Sequence, residues 1–231
     1  MNTMKAAVLT EVGKVEIQDI PVPTLGSKEV LVKIGAASIC SWEQRTFIGK
    51  QKPGFPFLGG HENAGEVVAV APDVTMVAVG DRVTLGPTKC GTCRPCLRGE
   101  DKACVEHFKY FSLKGGDLGP GGFLEYKVHR EDGCFNVGDA PYELACLAEP
   151  LSCAVHGVRL MGMKKGDTAV VFGAGPMGLL NAMVLVNAGV DTAIVDMDEE
   201  RLALARKYGV PRTILSSGDA VDAILSEFPG G

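Results

Sequence analysis

The chain has one tryptophan among its 231 residues, four histidines, and a formal charge of only −5. Its lysines and arginines are spread rather than clustered, so no basic surface awaits a phosphate backbone and nucleic acid is not an expected partner. No apolar run is long enough to suggest a membrane span. There is no positively charged and then apolar leader of the secretory kind, which points to a cytoplasmic protein with no membrane partner. Internal repeats and low-complexity tracts are missing too. At 46% hydrophobic and 22% charged, the composition is that of an ordinary globular protein, long enough for one large domain or two small ones.

Cysteine is where the chain is rich. Cys90, Cys93, Cys96 and Cys104 lie in a Gly/Pro-broken stretch, with two residues between the first three and eight positions to the last. Two-residue gaps let a loop turn so that successive sulfurs converge on one ion, and four thiolates leave no open position for a substrate. This is the pattern of a structural zinc. Two disulfides are the competing reading, but without a leader, and with the other four cysteines scattered through apolar segments, zinc is expected.

The first portion reads as short strands separated by Pro/Gly turns. Val30–Ile34, Gly65–Val70 and Phe123–Val128 are β-rich, which predicts a small barrel. From about Tyr142 the texture changes to helical spacing. A strand at Thr168–Phe172, a glycine turn, a helix and a strand at Thr192–Asp196 then follow. The expected class is β plus α/β, with domains at 1–150 and 151–231 and a boundary somewhere between Ala148 and Asp167.

The turn is Gly173-Ala174-Gly175-Pro176-Met177-Gly178. Such a motif alone is weak, but here a strand precedes it, a helix follows, and Asp196 closes the next strand eighteen residues beyond the last glycine. Glycines allow close approach to a pyrophosphate, whose charge meets the helix N-terminus, while the acid accepts hydrogen bonds from the ribose. A dinucleotide site is expected at Gly173, Gly175, Pro176, Met177, Gly178 and Asp196. The plainer reading is a tight turn with glycines for steric reasons. Asp196 repels a 2′-phosphate and no arginine immediately follows it, which favours NAD over NADP.

Gly59-Gly60-His61-Glu62 sets a histidine beside a carboxylate. Together with Cys40, the cysteine lobe, Gly65-Glu66-Val67, Val79-Gly80-Asp81-Arg82-Val83, Glu149-Pro150-Leu151-Ser152 and the glycine turn, it resembles the zinc-dependent medium-chain dehydrogenase/reductase family, its polyol branch in particular. The shared order of these motifs is far more specific than any one of them. The resemblance implies a GroES-like barrel domain carrying a zinc lobe, joined to a Rossmann domain, and a homo-oligomer. It implies a catalytic zinc held by Cys40, His61 and Glu62, with Glu149 either binding the metal or holding its water. Glu43 would orient the ligand histidine. It also implies hydride transfer between NAD and a secondary alcohol, here a polyol, sugar or cyclitol.

This chain departs from the family at Cys40-Ser41-Trp42-Glu43-Gln44-Arg45. Trp42 and Arg45 stand at the usual proton-relay positions, yet an indole N–H accepts no proton and a guanidinium stays charged. The proton is then expected to leave through Ser41, Glu62 or Glu149, and Trp42 either walls the pocket or packs in the core. Pro150 is expected to hold Glu149 out of the following helix. Cys146, Cys153 and His156 read as core, and His107 as a loop residue that could line the cleft. By resemblance the chain reads as C-terminally shortened, with the adenosine- and pyrophosphate-binding half of the sheet present. The alternative function is therefore an inactive zinc-binding fragment or structural remnant without turnover.

Overall fold

The computed structural model describes residues 3–106, 119–216 and 218–228. The chain divides into two compact units, Met1–Glu149 and Pro150–Gly231. In the first, β1 (Thr3–Glu11) and β2 (Lys14–Pro21) form an antiparallel hairpin. β3 (Glu29–Ser38), β4 (Glu62–Val70), β5 (Arg82–Leu85), β6 (Tyr126–Arg130) and β7 (Cys134–Asn136) form an antiparallel sheet in the order β6-β3-β4-β5-β7. Short helices α1 (Ser41–Phe47), α2 (Arg94–Leu97) and α3 (Tyr142–Ala145) fill the connections.

Period-two burial explains the sheets. Met4, Ala6 and Val8 of β1 point into one core cluster with Leu58 and Leu124, and Val30, Val32, Val67 and Val83 build another in which none of the four is exposed. Each such valine contributes roughly 1.5–3 kcal/mol by leaving water. The alternation is what sets register. The β3–β4 ladder ends at the pair Ser38 and Glu62, so Cys40, two residues past β3, and His61, one residue before β4, emerge at the same end of the sheet.

In the second unit, β8 (Thr168–Phe172), β9 (Asp191–Asp196) and β10 (Arg212–Leu215) are parallel in the order β10-β9-β8. Helices α5 (Pro176–Asn187), α6 (Glu199–Lys207) and α7 (Val221–Glu227) connect or follow them, while α4 (Ala148–Met161) carries the chain in from the first unit. β9 buries Thr192, Ala193, Ile194 and Val195 because both its faces are covered. Ile194 packs with Ala182 and Leu202, and Val195 with Ile214 and Ala220. Asp198 caps α6 by accepting from the N–H groups of Glu200 and Arg201, and acids open that helix while bases close it.

Three sequence expectations change. Phe123–Glu125 lie before β6 and are held to β1 through an isolated Ala6–Leu124 bridge. Glu149 is inside α4, not held out of it, because Pro150 sits in the first turn where a missing N–H costs nothing. Cys153 and His156 are exposed; α4 buries Pro150, Ala154 and Val158 instead, four residues apart. Cys146 is buried, as expected, beside Ala64 and Ala145. The stretch Tyr142–Met161 has the length and mean hydropathy, 20 residues at 1.2, of a membrane span, which the sequence reading did not single out. It is two helices parted by a turn at 146–147 and carries Glu143, Glu149 and Arg159.

Candidate metal centre and nucleotide turn

Cys40, His61 and Glu62 come together so that their ligand atoms all lie within 4.8 Å of one another. Cys40 is the extended residue that starts α1. His61 is held from behind. Its Nδ1 lies 2.9 Å from Oε1 of Glu43, which also accepts the Gly60 N–H at 3.0 Å. Glu43 faces inward from α1 and is only 6% exposed. Burial alone would raise its carboxyl, but the bonds from His61 and Gly60 outweigh it and hold the group below its usual range. The same bond from Glu43, aided by the charges of Glu149 and Glu62, raises His61. With Nδ1–H engaged, the imidazole has its Nε2 lone pair for a metal.

Gly60 makes this clamp possible. Its φ is +93°, and a Cβ there would sit 2.7 Å from the backbone nitrogen of Phe123, so a side chain would push the His61 loop off its support. Trp42, half-buried, stands edge-on to both Phe57 and His61, at 5.2 and 6.0 Å between ring centroids. Ser41 is exposed with its hydroxyl 4.0 Å from the Cys40 sulfur, and Arg45 is also exposed. Glu149 stays outside the three-residue group, though near enough for its charge to act on His61.

Sequence reasoning missed Ser38, whose hydroxyl donates to Oε2 of Glu62. Only the β3–β4 register brings the two together. A Cys/His/carboxylate set leaves a fourth position open, as Lewis-acid zinc requires, and nothing in the donor chemistry disfavours that ion.

Cys90, Cys93, Cys96 and Cys104 form a second group within 4.8 Å of one another. Sulfurs at the corners of a zinc tetrahedron lie about 3.8 Å apart. Here Cys90 and Cys96 are 3.9 Å apart and Cys93 and Cys96 3.3 Å. All are free thiols, and backbone N–H groups of Cys90 and Cys93 point at the sulfurs of Cys104 and Cys90. Hydrogen bonds led by the Thr92 hydroxyl bring Cys90 down to about 6, whereas burial pushes Cys96 up to about 12. Four crowded sulfurs cannot all ionise without a cation, so the donor set fits zinc. His107 lies outside the described residues.

In the second unit, Gly175 caps α5, Pro176 and Met177 open it, and Gly178 lies in its first turn. A Cβ on Gly178 would meet the Gly173 carbonyl oxygen at 1.8 Å, whereas one on Gly175 would meet nothing within 4 Å. The first glycine closes strand against helix; the second leaves a space that a pyrophosphate fits. Asp196 accepts from the Ala174 N–H at 2.6 Å and the Asp198 N–H at 2.9 Å. The Ala174 bond is the largest cause of its lowered pKa. Arg201 reaches within 3.9 Å of the same carboxylate. This arginine lies five residues beyond Asp196, not directly behind it. Asp198, by starting α6, turns the arginine back one helical turn later.

An alcohol dehydrogenase GroES-like domain matches residues 26–139. The chain is 38% identical to D-altritol 5-dehydrogenase of Agrobacterium fabrum, over 97% of this chain and 67% of that protein. It belongs to the zinc-dependent medium-chain dehydrogenase/reductase family. Sorbitol dehydrogenase of Bacillus subtilis is 34% identical over 96% of this chain and 64% of its own length. The structure of galactitol-1-phosphate dehydrogenase from Escherichia coli superposes with a TM-score of 0.83 at 29% identity, covering 97% of this chain and 65% of that one. The chain thus spans about two thirds of the length of these relatives. Other solved relatives hold NADP or NADH, in keeping with a family that joins zinc to a nicotinamide cofactor. The GroES-like unit and the parallel Rossmann-like sheet expected from the sequence are both present.

Proposed function

We propose that this chain belongs to an oxidoreductase that interconverts a secondary alcohol of a polyol, sugar or cyclitol and its ketone, with NAD as the hydride carrier. The observation that carries the reading is the convergence of Cys40, His61 and Glu62, with Glu43 buried behind the imidazole. When bound, zinc supplies Lewis acidity toward the alcohol oxygen and the nicotinamide takes the hydride. The chain's own residues do the positioning. Glu43 fixes the ring and tautomer of His61, and Gly60 gives the loop its approach. Ser41, Glu62 and Glu149 are the groups able to carry the alcohol proton outward, since Arg45 stays charged. Trp42, packed against His61, walls the site with a broad apolar face.

Cys90, Cys93, Cys96 and Cys104 take a structural zinc in this reading, and Gly173, Gly175, Pro176, Met177, Gly178 and Asp196 take the dinucleotide. Asp196 favours NAD by bonding the ribose hydroxyls. The names of the relatives support a polyol: two act on altritol and sorbitol. A small soluble substrate and a homo-oligomeric assembly in the cytoplasm complete the proposal. The test is reduction of NAD by the whole protein over a panel of polyols, with zinc counted in the same sample. Turnover confined to secondary alcohols, and lost with Glu62→Gln or Glu149→Gln by roughly a hundredfold, is expected. Zinc-replete protein inert toward every polyol, or more active with simple primary alcohols, would overturn the substrate class.

A further inference from the structure

We propose that Ser38 is a positioning residue that ties Glu62 to single-oxygen ligation at the candidate metal centre. This rests on the reading of Cys40, His61 and Glu62 as ligands of one zinc. Ser38 ends β3 and Glu62 begins β4, and the two are direct partners in the antiparallel ladder. Register therefore fixes the serine against the glutamate, and the hydroxyl donates to Oε2. Glu62 is only 6% exposed, so little water can replace that donor. One carboxylate oxygen is engaged, and Oε1 remains as the uncommitted donor.

The arrangement parallels the one behind His61. There Glu43 engages one ring nitrogen and leaves the other; here Ser38 engages one carboxylate oxygen and leaves the other. Each ligand that carries two possible donor atoms thus has one of them occupied by a neighbour, while Cys40, with a single sulfur, needs no such partner. A carboxylate free to present both oxygens can pivot between one- and two-oxygen contact, changing coordination number at a centre that must keep a position open. The hydroxyl removes that freedom. Residues that orient ligands in this way typically change metal affinity by about 10–100-fold when lost.

The experiment keeps zinc in the four-cysteine lobe and titrates Co2+ into the remaining site of the parent, Ser38→Ala, Ser38→Thr and Glu62→Gln proteins. The Co2+ d–d spectrum reads the ligand set, and a chelator reads how fast the ion leaves. Ser38→Ala is expected to shift the spectrum and release Co2+ about tenfold faster or more, while Ser38→Thr, which keeps the hydroxyl, restores both. In the Glu62→Gln background the further change Ser38→Ala should add little, because its effect passes through the carboxylate. A Ser38→Ala protein that matches the parent in spectrum and release overturns the proposal. So does an equal effect of Ser38→Ala with and without Glu62. If the parent takes up no Co2+ beyond the cysteine lobe, the ligand reading itself fails and the role of Ser38 falls with it.

Discussion

Replacing Lys127 by methionine should make the protein more stable at neutral pH and less so in alkali. Lys127 lies on β6 with 4% of its surface exposed, and its Nζ donates to the Pro120 carbonyl at 2.7 Å. Burial pushes its amine down to about 8 from 10.5. The sign follows from proton binding. Between those two values the unfolded chain holds a proton that the folded one does not, so stability rises with pH across the window and is lowest below it. A shift of about 2.5 units corresponds to about 3 kcal/mol of destabilisation at neutral pH. Methionine removes that term but leaves the Pro120 carbonyl without its donor, which costs about 1–2 kcal/mol. The net expectation is a gain of about 1–2 kcal/mol near pH 7, shrinking to nothing or reversing by about pH 10, where the folded amine is neutral and less than about 1 kcal/mol of the penalty remains. Urea unfolding of both proteins at a series of pH values reads the difference directly. A variant that is less stable than the parent at neutral pH, or a difference that does not change with pH, would refute the reasoning and mean that the ammonium is fully paired.

Elemental analysis should find about two zinc ions per chain, and Cys93→Ser should lose one together with much of the stability of its lobe, because structural zinc is folding energy; metal-free protein with oxidised cysteines would contradict this. Asp196→Ala should weaken NAD far more than NADP, whereas equal use of both cofactors by the parent would show that Arg201, beside the acid, already accepts a 2′-phosphate. His129 is held neutral, at about 3, by burial first and the Lys127 charge second. Its contribution is therefore intact above the unfolded value and lost as pH falls below it, by about 2 kcal/mol between pH 7 and pH 5. His129→Leu should flatten that acid limb in urea titrations, and an unchanged slope would count against it. Gly178→Ala should disrupt the second unit, since its methyl would overlap the Gly173 carbonyl, while Gly175→Ala should fold normally and lose nucleotide. Equal thermal unfolding of the two variants would show that the glycines have been assigned the wrong jobs.

What could be read from the chain alone depended on how far apart the cooperating residues lie. The cysteine lobe and the glycine turn were legible because each is closed by residues a few positions apart, where backbone geometry leaves few arrangements. Three strands of the first unit are legible as β-rich runs, but the run Phe123–Val128 starts three residues before β6 and stops two short of its end, because Phe123–Glu125 look β-prone and lie against β1 without continuing the ladder. Glu149 was misjudged for a related reason. The bias of a residue before proline is real, yet at a helix N-terminus it competes with the fit of proline to the first turn, and the second effect wins here.

The contacts that escaped the sequence are those made by register. Ser38 and Glu62 are 24 residues apart, and Lys127 meets a carbonyl across a loop that no periodicity predicts. Glu43 was found only because a family resemblance supplied its role, and its buried carboxylate shows why the side chain matters more than its position. From α1 it must reach both the His61 ring and the Gly60 N–H, and the longer arm of a glutamate does so with one oxygen. The second oxygen, Oε2, is buried with no hydrogen-bond partner. Leaving such an oxygen unpaired costs free energy, and within the described residues the His61 and Gly60 bonds are what offset it. The cost falls on the residue that aims the imidazole, which is where strain is tolerated when a ligand must be held still. A shorter aspartate at 43 would not span the same two donors without moving α1 toward the loop, so the glutamate and the local approach allowed by Gly59 and Gly60 belong together as one device.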